Sequence, residues 1–463
     1  MLGATSEASA VFQRLQDRFD ARGGLSLEER RQALKALRAG LQRRAEAFVA
    51  AVSADFGFRS RHETLLTEIV VVMQAIDYTL PRLAGWTKSR KIGLGPPYWP
   101  ARARIEPIPR GVACVMGPSN YPLQLSLTPL IAALSAGCPT LLKPSEMTPR
   151  TADEIAALAS EVFDAETVGV VRGGPEVGAA LARLPFGVLL FTGSGKVGVE
   201  IAKAAAESLT PVVLELGGKS PALIDADADM ARAARTIMAG KLMNAGQTCV
   251  APDYLLTPRR RMSETVERLR TAALQLYPDA ERRDYTAVAS ERAHARLARL
   301  ESGLDVAPLF DAPPPRYRPA LVIDPPQDHA IMRDEIFGPL LPVIPYDDIE
   351  EAIAVIRQHP APLALYWLGE KNARFNEVVR RTRAGAVSLN ETVLHAGISA
   401  LPFGGVGASG YGRYHARAGF DAFSHERVVF EQTRWSLTHL LRPPYKATAD
   451  RIIGRLVGGS KQK

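Results

Sequence analysis

The chain has 463 residues, 46% hydrophobic and 23% charged, a globular composition large enough for two or three cores that excludes general disorder. Its 57 Lys and Arg against 49 Asp and Glu leave a formal charge of +8, but the arginines are scattered along helical stretches without interleaved aromatics, which argues against a nucleic-acid platform. Cys114, Cys138 and Cys249 form no Cys-x-x-Cys pair, so the sequence predicts no disulfide framework and no metal site, and it favours a reducing, cytoplasmic setting.

The N-terminus mixes charges of both signs and does not read as a signal peptide. Ser26-Leu-Glu-Glu29 reads as a capping box that opens a helix ending near Phe56-Gly57, and a second helix is expected from about Arg61 towards Leu80-Pro81. Residues 91–110, rich in Gly and Pro, read as an extended arm. Short apolar runs then follow at 111–117, 140–144, 168–171, 187–193 and 211–218, separated by Ala-rich helical segments around 124–136, 150–163, 176–183 and 197–208. Apolar strands joined by helices predict an α/β fold with a mostly parallel sheet covered on both faces, whose ligands sit beyond the carboxyl ends of its strands.

A second α/β unit is expected from near Glu215, with a helix over 230–245, a strand at 253–257, a charged helix from Met262 and a proline-rich loop at 311–319. Strand-like runs at 340–346, 363–369 and 385–390 continue it, and the glycine run 401–415 reads as a loop shaped by close backbone approach. From Leu441 onward Arg442, Lys446, Arg451, Arg455, Lys461 and Lys463 face one acid, Asp450. A solvated basic tail is the plain reading, with peripheral membrane attraction as the alternative. The longest aliphatic runs fall far short of the roughly 20 residues that a membrane span needs.

Several residues carry chemistry. Phe191-Thr-Gly-Ser-Gly-Lys-Val-Gly198 stands between a strand and a helix, where backbone N–H groups grip phosphate; alone, its Gly193, Gly195 and Gly198 spacing leaves a dinucleotide site and a plain turn both open. Cys249 follows the small polar stretch Ala245-Gly-Gln-Thr248, a setting for a reactive thiol or a buried filler. Glu215 lies between two leucines, either capped by the Gly217 and Gly218 N–H groups or raised in pKa as a general base. Asn120 caps a helix or offers its amide to an oxyanion. The histidines lack metal-ligand spacing, and Trp86, Trp99, Trp367 and Trp435 read as packing residues.

The motifs GPSNYP at 117–122, LLKPSE at 141–146, FTGSGKVG at 191–198, LELGGKSP at 214–221, NAGQTC at 244–249, EIFGP at 335–339 and LPFGGVGASGYGRYH at 401–415 resemble the aldehyde dehydrogenase superfamily. The likeness runs from about residue 10 to 430, and the chain is most similar to the class 3, fatty aldehyde and coniferyl aldehyde dehydrogenase group. It implies a Rossmann-type dinucleotide-binding domain (1–90 and 111–214), an α/β catalytic domain (215–395), a small β oligomerisation arm (91–110 and 396–430) and a basic tail (431–463). It makes Cys249 the nucleophile, Glu215 the base for deacylating water, and Asn120 with the Cys249 N–H the oxyanion hole. By the same resemblance Lys143 and Glu146 address the adenosine ribose, Gly193, Ser194 and Gly198 the pyrophosphate, and Glu335 and Phe337 the nicotinamide side. Tyr121 and Phe403 become walls of an apolar pocket. The implied reaction is oxidation of an aromatic or medium-to-long aliphatic aldehyde to the acid, with NAD first and NADP open, in a homodimer. A CoA-acylating relative and a non-catalytic protein on the same fold are the alternatives. The chain departs from the pattern at Ser119, where many members have Trp, at Ala416, where Gly is common, and in a shorter region at 301–318.

Overall fold

The computed structural model describes residues 2–95, 98–278 and 283–458. Ser26 Oγ accepts the Glu29 N–H while the Glu29 carboxylate accepts the Ser26 N–H, and Gly57 closes the helix Leu27–Phe56 in a left-handed conformation (φ 77°). The next helical stretch reaches Thr79 with an interruption that periodicity did not reveal: Leu65–Ile69 is a π-turn between Arg61–Thr64 and Val70–Thr79. Within it Glu68 is fully buried, paired with Arg59 at 2.7 Å. Its other oxygen accepts the Leu123 and Gln124 N–H groups (2.7 and 3.0 Å), so Glu68 caps the helix Gln124–Ala136 from a distance.

Among the described residues sixteen strands follow in chain order: β1 (Arg90–Ile92), β2 (Arg102–Pro109), β3 (Ala113–Met116), β4 (Thr140–Lys143), β5 (Val168–Val170), β6 (Val188–Thr192), β7 (Val212–Glu215) and β8 (Pro221–Ile224). The others are β9 (Tyr254–Pro258), β10 (Val306–Pro308), β11 (Ala320–Ile323), β12 (Leu340–Tyr346), β13 (Ala364–Leu368), β14 (Ala386–Leu389), β15 (Gly410–Tyr411) and β16 (Ser424–Glu431). They build a six-stranded sheet β15-β7-β6-β3-β4-β5, a seven-stranded sheet β10-β11-β12-β9-β8-β13-β14 and a three-stranded arm β1-β2-β16. The two large sheets are parallel except at the edge strands β15 and β10. All residues of β3 and β4 are buried, the near-continuous apolar composition that two covered faces require.

Chain order reverses at β3, which sends its connection to β4 on one side while β6 docks on the other. The crevice at such a switch point, beyond the strand ends, is where this class of sheet holds ligands. Register brings Lys143, Met116 and Phe191 abreast there, with Thr192 opposite Glu215.

The structure revises four expectations. The helix expected to reach Ala245 stops at Leu242, because Asn244 (φ 52°) and Ala245 (φ 51°) turn left-handed. β10 and β11, too short to register as runs, flank the proline-rich loop. Part of the glycine run is strand: Gly410 pairs with Glu215, and a Cβ at position 410 would lie 1.9 Å from the Leu214 carbonyl oxygen. Trp367 is buried and Trp86 rests 5.8 Å from Phe420, but Trp99 and Trp435 are 69% and 83% exposed and pack little.

His415 (φ 77°) and Ala416 (φ 47°) are consecutive positive-φ residues where the helix Ala416–Ala422 begins. This gives the departure at 416 a physical meaning, since a Cβ is strained in that region and glycine is not. Ala416→Gly is expected to stabilise the fold by about 1 kcal/mol, read as a higher denaturant midpoint with an unchanged slope.

Candidate active site

The left-handed turn at Asn244 and Ala245 redirects the chain into Gln247–Val250, and neighbouring groups fix that segment. The Gln247 carbonyl accepts the amides of Asn120 (3.0 Å) and Asn244 (3.1 Å). Thr248 Oγ1 lies 2.8 Å from the Tyr121 hydroxyl, and the Val250 carbonyl accepts the Tyr366 hydroxyl at 2.5 Å. The Gln247 side chain donates to the Asn244 and Ala287 carbonyls and accepts the Ala289 N–H. Residues on both sides of Cys249 are therefore tied down, while its half-buried thiol is free.

Asn120 does not cap the helix beside it. Arg59 and Asn244 donate to its carbonyl (3.2 and 2.9 Å), and one N–H of its amide engages Gln247, leaving the second for another acceptor. Arg59 also lies 4.8 Å over the Tyr121 ring, so the Arg59–Glu68 pair orients Asn120 and Tyr121 together.

Glu215 ends β7 fully buried, and neither carboxylate oxygen has a hydrogen-bond partner among the described residues. The cap expected from Gly217 and Gly218 is absent. Glu335 occupies that place: a Cβ at position 217 would lie 2.1 Å from its carboxylate, and the Gly218 N–H bonds it. Burial pushes the Glu215 carboxyl well above the ordinary range, and burial with nearby Asp253 raises Glu335 to about 8. The Cys249 thiol is pushed up to about 12, by burial first and then by Glu335 and Glu215. These two acids therefore share its electrostatic surroundings.

Sequence reasoning missed three participants in this region. Lys241 is fully buried with no hydrogen-bond partner for Nζ among the described residues, and burial lowers it to about 8. Its only signal was a lysine at the end of an otherwise apolar helical turn. Arg296 donates to the Glu335 and Phe337 carbonyls (3.1 and 3.2 Å), which holds Phe337 in its left-handed conformation (φ 43°). Tyr414 feels both Glu215 and Cys249, and its backbone bridges Phe403 through 2.9 and 2.8 Å hydrogen bonds. Phe403 and Tyr121 are both buried.

The crevice edge suits a dinucleotide. Ser194 caps the helix Gly195–Ala206 by accepting the Val197 N–H, and the Gly193 N–H donates to the Glu215 carbonyl at 3.1 Å. A side chain at Gly193 would meet the Phe191 ring at 2.5 Å, and one at Gly198 would meet Leu216 at 2.7 Å, whereas position 195 faces open space. A Cβ at 193 or 198 would thus require the Phe191 ring or the Leu216 side chain to shift, and position 195 leaves the helix N-terminus open, as phosphate approach requires. Lys143, nearly buried, pairs with Glu146 at 2.8 Å. Among the described residues no group of three or more His, Cys, Asp or Glu is placed to hold a metal.

A parallel sheet with a glycine turn at its switch point, beside a second sheet that presents a free thiol, defines a dinucleotide-dependent α/β oxidoreductase. The chain belongs to the aldehyde dehydrogenase family, whose sequence profile matches residues 2–429. It is 42% identical to "Probable coniferyl aldehyde dehydrogenase" of Pseudomonas aeruginosa over 458 residues, covering 97% of this chain and 96% of the relative. It is 36% identical to "Aldehyde dehydrogenase family 3 member A2" of Rattus norvegicus over 419 residues, covering 90% and 86%. Among solved structures, substrate-bound AldH of Staphylococcus aureus superposes with a TM-score of 0.92 at 35% identity, covering 97% of this chain and 99% of that one. The protein is an NAD(P)-dependent aldehyde dehydrogenase.

Proposed function

We propose that this enzyme oxidises aromatic or medium-to-long aliphatic aldehydes, coniferyl aldehyde-like ones first, to carboxylic acids through a thioester on Cys249. The observation that carries this reading is the arrangement around residue 249. Its thiol is the free group in a clamped segment, the Asn120 amide bonded to that segment has an N–H to spare, and Glu215 sits near with a carboxylate unsatisfied by protein.

Cys249, deprotonated, adds to the carbonyl carbon and forms a thiohemiacetal oxyanion. The second Asn120 N–H and the Cys249 backbone N–H stabilise that charge; removing one such donor raises the barrier by about 3 kcal/mol. Bound NAD(P) supplies the acceptor for the two-electron oxidation of this adduct to the thioester. Glu215, ionised, then takes a proton from water, the resulting hydroxide attacks the thioester, and the Cys249 sulfur leaves as the acid is released.

Ser194, Gly193 and Gly198 would hold the pyrophosphate, Lys143 and Glu146 the adenosine ribose, and Glu335 and Phe337 the nicotinamide side. On this reading the six-stranded sheet is the dinucleotide-binding domain and the seven-stranded sheet the catalytic one. The carboxylate of Glu146 favours NAD, and its neighbour Lys143 tolerates the extra phosphate of NADP. Tyr121 and Phe403 line the aldehyde pocket with Tyr366 and Tyr414, a wall of rings suited to flat or apolar substrates. Three cysteines without disulfides fit a cytoplasmic setting.

A panel of benzaldehyde, coniferyl aldehyde and hexanal, run separately with NAD and NADP, tests the assignment. One equivalent of acid should form per reduced cofactor. Acyl-CoA formed with negligible hydrolysis when CoA is added would move the enzyme to the CoA-acylating class, and background rates from folded protein would leave only a scaffold.

We also infer a homodimer. β16 and β14 are edge strands, with Val428 and Phe430 exposed on the first and Val387 and Leu389 on the second. Open edges with apolar side chains invite pairing with another chain. Light scattering is expected to give twice the 50.1 kDa chain mass, and a monomer at every concentration would reject the inference.

A further inference from the structure

The C-terminal helix Ala447–Gly458 has an apolar stripe whose far end the other described residues leave uncovered. Positions 449, 452, 453, 456 and 457 share one face by helical spacing. Ala449 is buried and Ile452 half-buried, so the near end of the stripe packs. Its far end does not: Ile453, Leu456 and Val457 are all exposed, Val457 at 76%. Trp435 and Tyr445, the two aromatics ahead of the helix, are exposed as well. Trp435 is thus an amphipathic ring left in solvent, where packing was expected.

The charges around the stripe have one sign. Arg442, Lys446, Arg451 and Arg455 against Asp450 give four cations less one acid, a net +3 over residues 442–458. By the same spacing Arg451 lies across the helix from the stripe and Arg455 flanks it next to Ile452. Among the described residues no ion pair engages any of the four cations. A 12-residue helix is about 18 Å long, too short to cross a bilayer and suited to lying in its surface.

We propose that this helix, with Trp435 and Tyr445, docks the enzyme on an anionic lipid surface, apolar stripe inward and cations towards the headgroups. Aliphatic residues on one face, Lys and Arg on the other and aromatics at the boundary are the features of an interfacial helix. The alternative occupant, the same tail of a second copy, would bring two net-positive segments together, in a chain already at +8. An anionic surface meets the same charge with attraction. The docking does not rest on the catalytic assignment; it would place an aldehyde-oxidising site beside the phase into which apolar aldehydes partition.

The test is co-sedimentation of the full-length protein with vesicles of phosphatidylglycerol and phosphatidylcholine in equal parts, and with phosphatidylcholine alone. The protein is expected to sediment with the mixed vesicles and to stay in solution with the neutral ones. Replacing Arg442 or Lys446 by alanine should each weaken binding about fivefold, and 0.5 M salt should weaken it further. Leu456→Glu/Val457→Glu should abolish binding while leaving aldehyde turnover and thermal midpoint unchanged, since these residues are exposed and belong to none of the groups assigned to the site. Trp435 fluorescence should shift to the blue on mixed vesicles, with the shift absent in Trp435→Phe. Equal sedimentation of wild type and the double variant would overturn the proposal, as would failure to sediment with anionic vesicles. A concentration-dependent rise in mass that the double variant abolishes would assign the stripe to a second copy, and would overturn it too.

Discussion

Cys249→Ala is expected to lower kcat/KM by about 10⁴-fold or more, with no burst of reduced cofactor, while the protein keeps its fold. The argument lies in what surrounds the sulfur. The hydrogen bonds that fix the segment come from Gln247, Thr248 and Val250, so removing the thiol leaves them intact. The thiol is also half-buried and bonded to no side chain, so its loss makes at most a small void. NAD affinity, measured by quenching of protein fluorescence, should therefore stay within about twofold of wild type, because the groups proposed to hold the pyrophosphate and the adenosine ribose lie on the six-stranded sheet. Residual turnover above about 1% would show that a different nucleophile carries the reaction.

Glu215→Gln separates the two halves of the proposed cycle. Oxidation to the thioester needs Cys249 and the oxyanion donors but no base at 215, so one equivalent of reduced cofactor per site should still appear in a burst. Steady turnover should then fall by about 10²- to 10⁴-fold, because water loses its general base. A lost burst would reject the assignment to deacylation. The same substitution has a pH signature. The Glu215 carboxyl is held above its ordinary range by burial, so steady turnover of the wild type should rise with pH as it ionises, and this limb should vanish in the variant. Stability runs the other way. A carboxyl whose pKa is raised in the folded state stabilises the fold fully below its unfolded pKa, and that contribution is lost as pH rises through the folded value. Wild type should thus lose stability relative to Glu215→Gln as pH climbs above about 4.3, and the variant should melt higher at pH 8.

Much of the scaffold could be read in advance because the signals were local. Buried parallel strands are apolar runs, caps are single residues at fixed offsets, and a strand–glycine–helix turn is contiguous, so β3 to β7 and the Ser194 turn stood out. What escaped depended on distant partners. Glu68 looks like an ordinary helical acid until the π-turn places it against a helix start more than 50 residues away. Glu215 read either as capped by the Gly217 and Gly218 N–H groups or as a carboxyl raised in pKa, and only the placement of Glu335 against Gly217 shows why the cap is absent. Lys241 showed only as a lysine at the end of an apolar helical turn, because an isolated buried cation has no periodicity. The residue types in the site were legible; which donors were already engaged was not.

The elevated pKa of Cys249 bears on how the protein survives oxidative stress. Peroxide attacks sulfur as the anion, and a thiol held near 12 presents almost none of it at neutral pH, so the resting site should resist conversion to sulfenic acid even though the sulfur can be reached. Glu335 and Glu215 add to an elevation set first by burial, so a ligand that neutralises or displaces either acid lifts only part of that protection.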